Sequence, residues 1–222
     1  MKKKIAIIGS GIAGLTLAGL LKKNSNFEFV VYEKEDNLNL DEGFGIQLSP
    51  NSVSILNEIG FNKLNKNEKF YPSKLDFYST KLNKICDLDL TVFNSQNIKY
   101  TTLKRSILIK FLKENLLTNS IMFGKKINSI KQINEKIIIN FTNGSSDEVD
   151  HLIVSDGVFS NTKSVIESKI FKPRYYGAVV IRSQIKNKSI FNFDSNHISL
   201  MMASNSHLIL YPVNQNKEFN LV

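Results

Sequence analysis

The stretch Lys4-Ile5-Ala6-Ile7-Ile8-Gly9-Ser10-Gly11-Ile12-Ala13-Gly14 limits what this chain can fold into more than any other. Its short apolar run reads as a buried strand, Lys4–Ile8, and the residues from Ile12 to Lys22 carry apolar side chains at helical spacing. Between them the glycines fall in the order Gly-x-Gly-x-x-Gly. In such a turn Gly9 permits the sharp reversal, and Gly11 admits a pyrophosphate against the backbone. Gly14 lets the helix pack close to the strand, while the helix N-terminus offers N–H groups to an anion. The next strand, Phe27–Tyr32, leads straight into Glu33, about 20 residues beyond the glycines, where a carboxylate can accept hydrogen bonds from an adenosine ribose. Strand, glycines, helix, strand and acid in register predict a βαβ unit with parallel pairing and a right-handed crossover, built to hold a dinucleotide. Glu33 repels a ribose 2′-phosphate, so the adenosine expected here is that of FAD or NAD rather than NADP.

Composition excludes several other roles. With 42% hydrophobic and 22% charged residues over 222 positions, the chain is that of an ordinary globular protein. No apolar run reaches bilayer length, so no integral membrane segment is expected. The lysines near Met1 resemble the start of a signal peptide, but Gly9, Ser10 and Gly11 break the apolar stretch and no cleavage pattern follows, which points to the cytoplasm. The single Cys86 excludes an internal disulfide, and His151, His197 and His207 lack metal-ligand spacing, so no metal site is expected. The net charge of +9 comes from dispersed lysines without an aromatic–basic motif, so no nucleic-acid partner is expected.

Further along, Asn37–Leu48 reads as a loop with Gly43 and Gly45, and Pro50–Ile59 as a helix with Pro50 in its first turn and Gly60 past its end. Lys74–Tyr78 and Lys84–Asp89 read as strands, Leu103–Leu117 as an amphipathic helix, and Ser120–Phe123, Asn128–Ile133 and Lys136–Phe141 as further strands. Val149–Ser155 is an apolar strand running into Asp156-Gly157. Beyond Pro173 the pattern changes to long alternating segments, Tyr175–Ile185, His197–Ala203 and Leu208–Val213, which predict a second, antiparallel sheet. Glu218–Val222 begins one more strand, and the chain stops within it.

Taken together these stretches resemble the single-component flavin-dependent aromatic hydroxylases, the FAD monooxygenases similar to salicylate and para-hydroxybenzoate hydroxylase. Gly43-Phe-Gly45-Ile-Gln47-Leu-Ser-Pro50-Asn51 is similar to the family's second signature, a glycine-rich loop entering a Pro-Asn helix start. Thr102-Leu-Lys-Arg105-Ser-Ile-Leu is similar to its arginine at the head of a long helix, whose planar fork suits phosphate or ribityl oxygens. Leu152-Ile-Val-Ser-Asp156-Gly157, with Ser160 three residues on, is similar to its Asp-Gly motif; Ser155 and Lys163 stand where that motif usually has Ala and Arg.

The resemblance implies an α/β fold, a Rossmann-like FAD-binding domain (1–70 and 101–172) with an interleaved, incomplete antiparallel β-sheet substrate domain (71–100 and 173–222). It implies FAD as cofactor, NADH or NADPH as co-substrate, and hydroxylation of a small aromatic substrate by O2 through a C4a-hydroperoxyflavin. The cofactor-binding residues expected are Gly9, Gly11, Ile12, Ala13, Gly14, Glu33, Lys34, Gly45, Gln47, Arg105, Asp156 and Gly157. Tyr78, Arg182, His207 and Tyr211 are candidates to orient a substrate, and no side chain is assigned to catalysis. The same fold also serves ubiquinone-ring hydroxylation and isoprenoid reduction. No Gly-Asp-Ala-Ala-His-type stretch, the family's last flavin motif, occurs in the sequence, so a truncated, non-catalytic remnant is the alternative expectation. On that view the final strand should expose unpaired edge groups and apolar surface.

Overall fold

The computed structural model describes residues 2–38, 44–186 and 193–222. Gly43 lies outside the described residues. The helices are α1 (Ile12–Leu21), α2 (Pro50–Glu58), α3 (Arg105–Glu114) and α4 (Asn161–Glu167). The chain divides into two compact units, Met1–Asn39 with Ile109–Gly177, and Leu40–Leu108 with Ala178–Val222. Residues 40–70 and 101–108, grouped with the dinucleotide-binding part on sequence, therefore fall in the second unit.

The first unit is built on a parallel sheet in the order His151–Val154, Lys3–Ile8, Phe27–Tyr32, Ile121–Met122. Lys3–Ile8 is central and its last four residues are buried, which explains why it reads as a continuous apolar run. α1 joins it to Phe27–Tyr32 and buries Gly14, Leu15, Ala18 and Gly19 along one face. A three-stranded antiparallel sheet, Ser146–Val149, Lys136–Phe141 and Ile127–Ile133, completes the unit. Ala6, Ile8, Tyr32, Ile127, Ile139, Phe141 and Val149 form one buried cluster between them. The single strand expected over Val149–Ser155 is two strands broken at Asp150, whose carboxylate accepts the Lys4 N–H at 2.8 Å.

The second unit holds a three-stranded antiparallel sheet, Gly45–Leu48, Thr101–Lys104 and Lys69–Phe70, and a six-stranded sheet. The order of the latter is Ser183–Ile185, Glu218–Leu221, His207–Val213, Ile198–Met202, Lys74–Ser79, Lys84–Asp89. It is antiparallel except where Ile198–Met202 runs parallel to Lys74–Ser79. α2 begins on Pro50 and is followed by Gly60 at φ +94°, as expected from its flanking residues.

Several expectations are corrected. Leu103 and Lys104 are not helical, because they pair with Gly45 and Ile46; helix starts only at Arg105. Of the long strand expected over Tyr175–Ile185 only Ser183–Ile185 forms, since among the described residues only Phe219–Leu221 offers that segment a partner. Alternation is a capacity to pair, and it is realised only beside another strand. Nor is Glu218–Leu221 an open edge. It is paired on both sides, and Phe219 and Asn220 are buried.

One polar knot ties the first unit together. Asp147 accepts hydrogen bonds from the Tyr32 hydroxyl and from Lys4 Nζ at 2.5 Å. Burial alone would raise its carboxyl, but the bonds from Lys4 and Tyr32 outweigh burial and hold it below the ordinary aspartate range. A depressed carboxyl contributes stability above its unfolded value near 3.8, and that contribution is lost as pH falls through the folded value. Asp147→Asn is therefore expected to cost about 1 kcal/mol at neutral pH and to flatten the acid limb of stability, read by urea melts from neutral to acidic pH.

Candidate functional site

The turn after Lys3–Ile8 is fixed by backbone. Gly9 sits at φ +100°, and its N–H donates to the Tyr32 carbonyl at 2.8 Å. Ser155 locks the other side, its N–H at 2.8 Å and its hydroxyl at 2.9 Å from the Ile8 carbonyl. A Cβ at Gly14 would lie 2.1 Å from the Gly9 carbonyl oxygen, so α1 can approach the strand this closely only on glycine. A Cβ at Gly11 would meet no protein atom within 4 Å. No side chain caps α1 and no acid stands in its first turn, so the N–H groups around Ile12 and Ala13 remain for another acceptor.

These elements open onto a cavity of about 440 Å³ that includes Gly9, Gly11, Glu33, Lys34, Asp156 and Gly157 among its lining. That volume suits part of a dinucleotide. Glu33 is held from within the glycine turn: Ser10 donates its N–H at 2.9 Å and its hydroxyl at 2.5 Å to one carboxylate oxygen, and the Glu35 N–H reaches the other at 3.1 Å. Burial works against the charge, but the Ser10 and backbone bonds prevail and keep Glu33 below the usual glutamate range. It is a carboxylate at neutral pH.

Asp156 stands on the opposite wall. One of its oxygens accepts the Thr162 hydroxyl at 2.8 Å and the Thr162 N–H at 3.3 Å. Its other oxygen, Oδ1, is buried and has no donor among the described residues. Gly157 follows at φ +81°, and Ser160 caps α4 by accepting the Lys163 N–H at 3.1 Å.

Ser10, Thr162, Lys125 and Lys126 also line the cavity, and sequence reading did not single them out. Ser10 was findable as the residue between the first two glycines. The lysines were not, because they arrive on a loop whose Lys125 N–H bonds the Glu33 carbonyl at 2.8 Å, a contact between distant parts of the chain.

Gly45, Gln47 and Arg105 belong to the second unit. Gly45 is required there by packing: a Cβ would lie 2.7 Å from both Asn220 Cβ and Tyr211 Cε2, and its N–H donates to Asn220 Oδ1 at 2.6 Å. Gln47 accepts the Tyr100 hydroxyl at 2.8 Å. Arg105 is exposed and forms no ion pair among the described residues; its N–H donates to the Phe44 carbonyl at 2.9 Å. Of the candidate substrate groups, Tyr211 is buried, and burial pushes its hydroxyl up to about 12. Tyr78 bonds Asp76 at 3.4 Å, whereas Arg182 and His207 are exposed.

Fold and turn together define a Rossmann-like dinucleotide-binding unit with antiparallel β structure attached. A model of the NAD(P)-binding Rossmann-like domain matches residues 7–40. The 3-amino-4-hydroxybenzoate 2-monooxygenase of Streptomyces cremeus is 26% identical over 95% of the chain and 53% of its own length. The crystal structure of Klebsiella pneumoniae HpxO complexed with FAD and uric acid superposes with a TM-score of 0.84 at 20% identity, covering 99% of this chain and 55% of that one. The 2,6-dihydroxypyridine-3-hydroxylase of Arthrobacter nicotinovorans gives 0.80 at 20% identity, over 100% and 56%. The chain is thus similar to FAD-dependent and aromatic-ring monooxygenases, the proteins its motifs resemble, and it spans about half the length of the curated relatives it matches. No described helix is long and apolar enough to cross a membrane.

Gly14→Ala is expected to destabilise the first unit by at least about 1–3 kcal/mol, because the obstacle is backbone that cannot rotate away; thermal or urea melts measure it.

Proposed function

We propose that this chain binds FAD through the Gly9–Gly14 turn and serves NAD(P)H- and O2-dependent hydroxylation of an electron-rich aromatic or heteroaromatic ring. The observation that carries the reading is the buried Asp156 Oδ1, an acceptor without a protein donor in a cavity whose opposite wall presents Glu33. A buried carboxylate oxygen left in that state is costly. Hydroxyl groups of a nucleotide or ribityl chain are the donors that match it, and the uncapped start of α1 matches a pyrophosphate. The residues present therefore fit FAD.

In this reading Glu33 accepts from the adenosine ribose while Ser10 fixes its rotamer. Thr162 orients Asp156 so that Oδ1 faces the ligand hydroxyls. Gly11 keeps the approach to the phosphates clear of side chain, and Lys125 and Lys126 offset the ligand's negative charge. Bound FAD would supply the redox chemistry, taking a hydride from NAD(P)H and activating O2 for oxygen transfer. Aromatic substrates named for the relatives, an aminohydroxybenzoate and 6-hydroxynicotinate, support a ring carrying hydroxyl and carboxyl groups.

A second occupant is favoured by one observation, the match of residues 7–40 to an NAD(P)-binding model: the same turn could hold NAD directly. Titration separates the two. FAD added to the purified chain is expected to bind near one to one, seen as quenching of flavin fluorescence, and excess NADH should not displace it. Gly11→Val should weaken FAD binding at least about 100-fold with little loss of thermal stability, since a Cβ there meets no protein atom within 4 Å. Displacement by NADH would favour the second reading. Undiminished binding by the Val variant, or none by the wild type, overturns the assignment. With FAD bound, NAD(P)H-dependent O2 uptake should rise when hydroxybenzoates or hydroxypyridines are added.

A further inference from the structure

The second unit carries another cavity, of about 300 Å³, between the end of α2, the turns that follow it and the segment before Thr101–Lys104. Its polar lining is Asn57, Asn62, Lys66, Lys69, Asn97 and Lys99, with Gln96, Tyr71 and Thr101 beside them, and no acidic residue lines it. Three lysines around one concavity, with no carboxylate in its lining, form a site of net positive charge.

Lys69 makes the imbalance acute. It is only 4% exposed, and among the described residues it forms no ion pair. Its Nζ donates to the Phe61 carbonyl at 3.1 Å and lies 5.0 Å above the Phe61 ring. An ammonium has three donor hydrogens, and that carbonyl uses one. Burial, with the Lys66 ammonium adding to it, pushes Lys69 below the ordinary lysine range, and the nearby Glu68 carboxylate offsets this only in part. Lys99 lies 5.4 Å above the Tyr71 ring, itself a lining residue. Asn57 donates to the Asn97 carbonyl at 2.8 Å, while its own Oδ1 is buried with no donor among the described residues.

We propose that this cavity is a binding site for a phosphate group, either inorganic phosphate or the phosphate of a small monoester. The lysines supply charge and donors to its oxygens, and the carboxamides of Asn62 and Asn97, also in the lining, add N–H groups. Asn57 Oδ1 accepts from the P–O–H of hydrogen phosphate, or from a hydroxyl on the ester's alcohol. A plain carboxylate would satisfy the cations but leave Asn57 unsatisfied. This inference is independent of the dinucleotide cavity, which lies wholly on the first unit.

The test is isothermal titration of the purified chain with inorganic phosphate and with glucose 6-phosphate, at low ionic strength in a cationic buffer. Phosphate is expected to bind with a Kd of about 1 mM or tighter. Lys69→Met, which keeps the buried stem, and the exposed Lys99→Ala should each weaken binding about tenfold while FAD affinity is unchanged. Preference for glucose 6-phosphate would identify a phosphorylated metabolite as the ligand, and preference for phosphate the free anion. No binding by the wild type overturns the proposal. So does equal affinity in a folded Lys66→Ala/Lys99→Ala variant, because the anion must then sit elsewhere.

Discussion

The approach of α1 to the strand Lys3–Ile8 governs the first unit. With the Gly9 carbonyl 2.1 Å from where a Gly14 Cβ would stand, helix and strand touch through backbone alone. That closeness brings the N-terminus of α1 to the strand end, and the bond from Gly9 N–H to the Tyr32 carbonyl carries the neighbouring strand into the same place. Ser155 then binds the Ile8 carbonyl, so Asp156 follows at the same sheet end. Glu33 and Asp156 come from distant parts of the chain, and the glycine turn makes them opposite walls of one cavity.

Charge in that cavity is arranged as much as placed. Ser10 lies within the glycine turn and spends both its N–H and its hydroxyl on Glu33. In the proposed FAD site, the turn that would admit a phosphate would thereby also pre-orient the carboxylate for a ribose, which would reduce the entropy lost when a ligand orders its site. Asp156 is treated differently. Thr162 occupies one oxygen and leaves the other buried and unanswered, a cost that ligand hydroxyls would remove.

The parallel core was legible because its signals are local: apolar run, glycine spacing and acid all fall within Lys3–Glu33. α2 was legible for the same reason, from Pro50 and Gly60. What could not be read depended on partners remote in sequence. Leu103 and Lys104 have helical spacing, yet pairing with Gly45 and Ile46 outweighs propensity. Tyr175–Ile181 alternates like a strand without pairing as one. Gly45 shows the same limit in another form. Its motif suggested a place beside a cofactor, while the contacts seen are with Tyr211 and Asn220, far along the chain.

The central position of Lys3–Ile8 also bears on how the polypeptide comes together. Lys4 and Asp150, which meet beside the first sheet, are 146 positions apart in the chain, and the strand His151–Val154 that flanks Lys3–Ile8 follows directly. A ribosome delivers this apolar strand early and its second neighbour late. Until then one flank of this largely buried strand stays open, and long-range pairing of this kind folds slowly and is prone to self-association. The segment that leads into the glycine turn is thus the one that most needs shelter during synthesis.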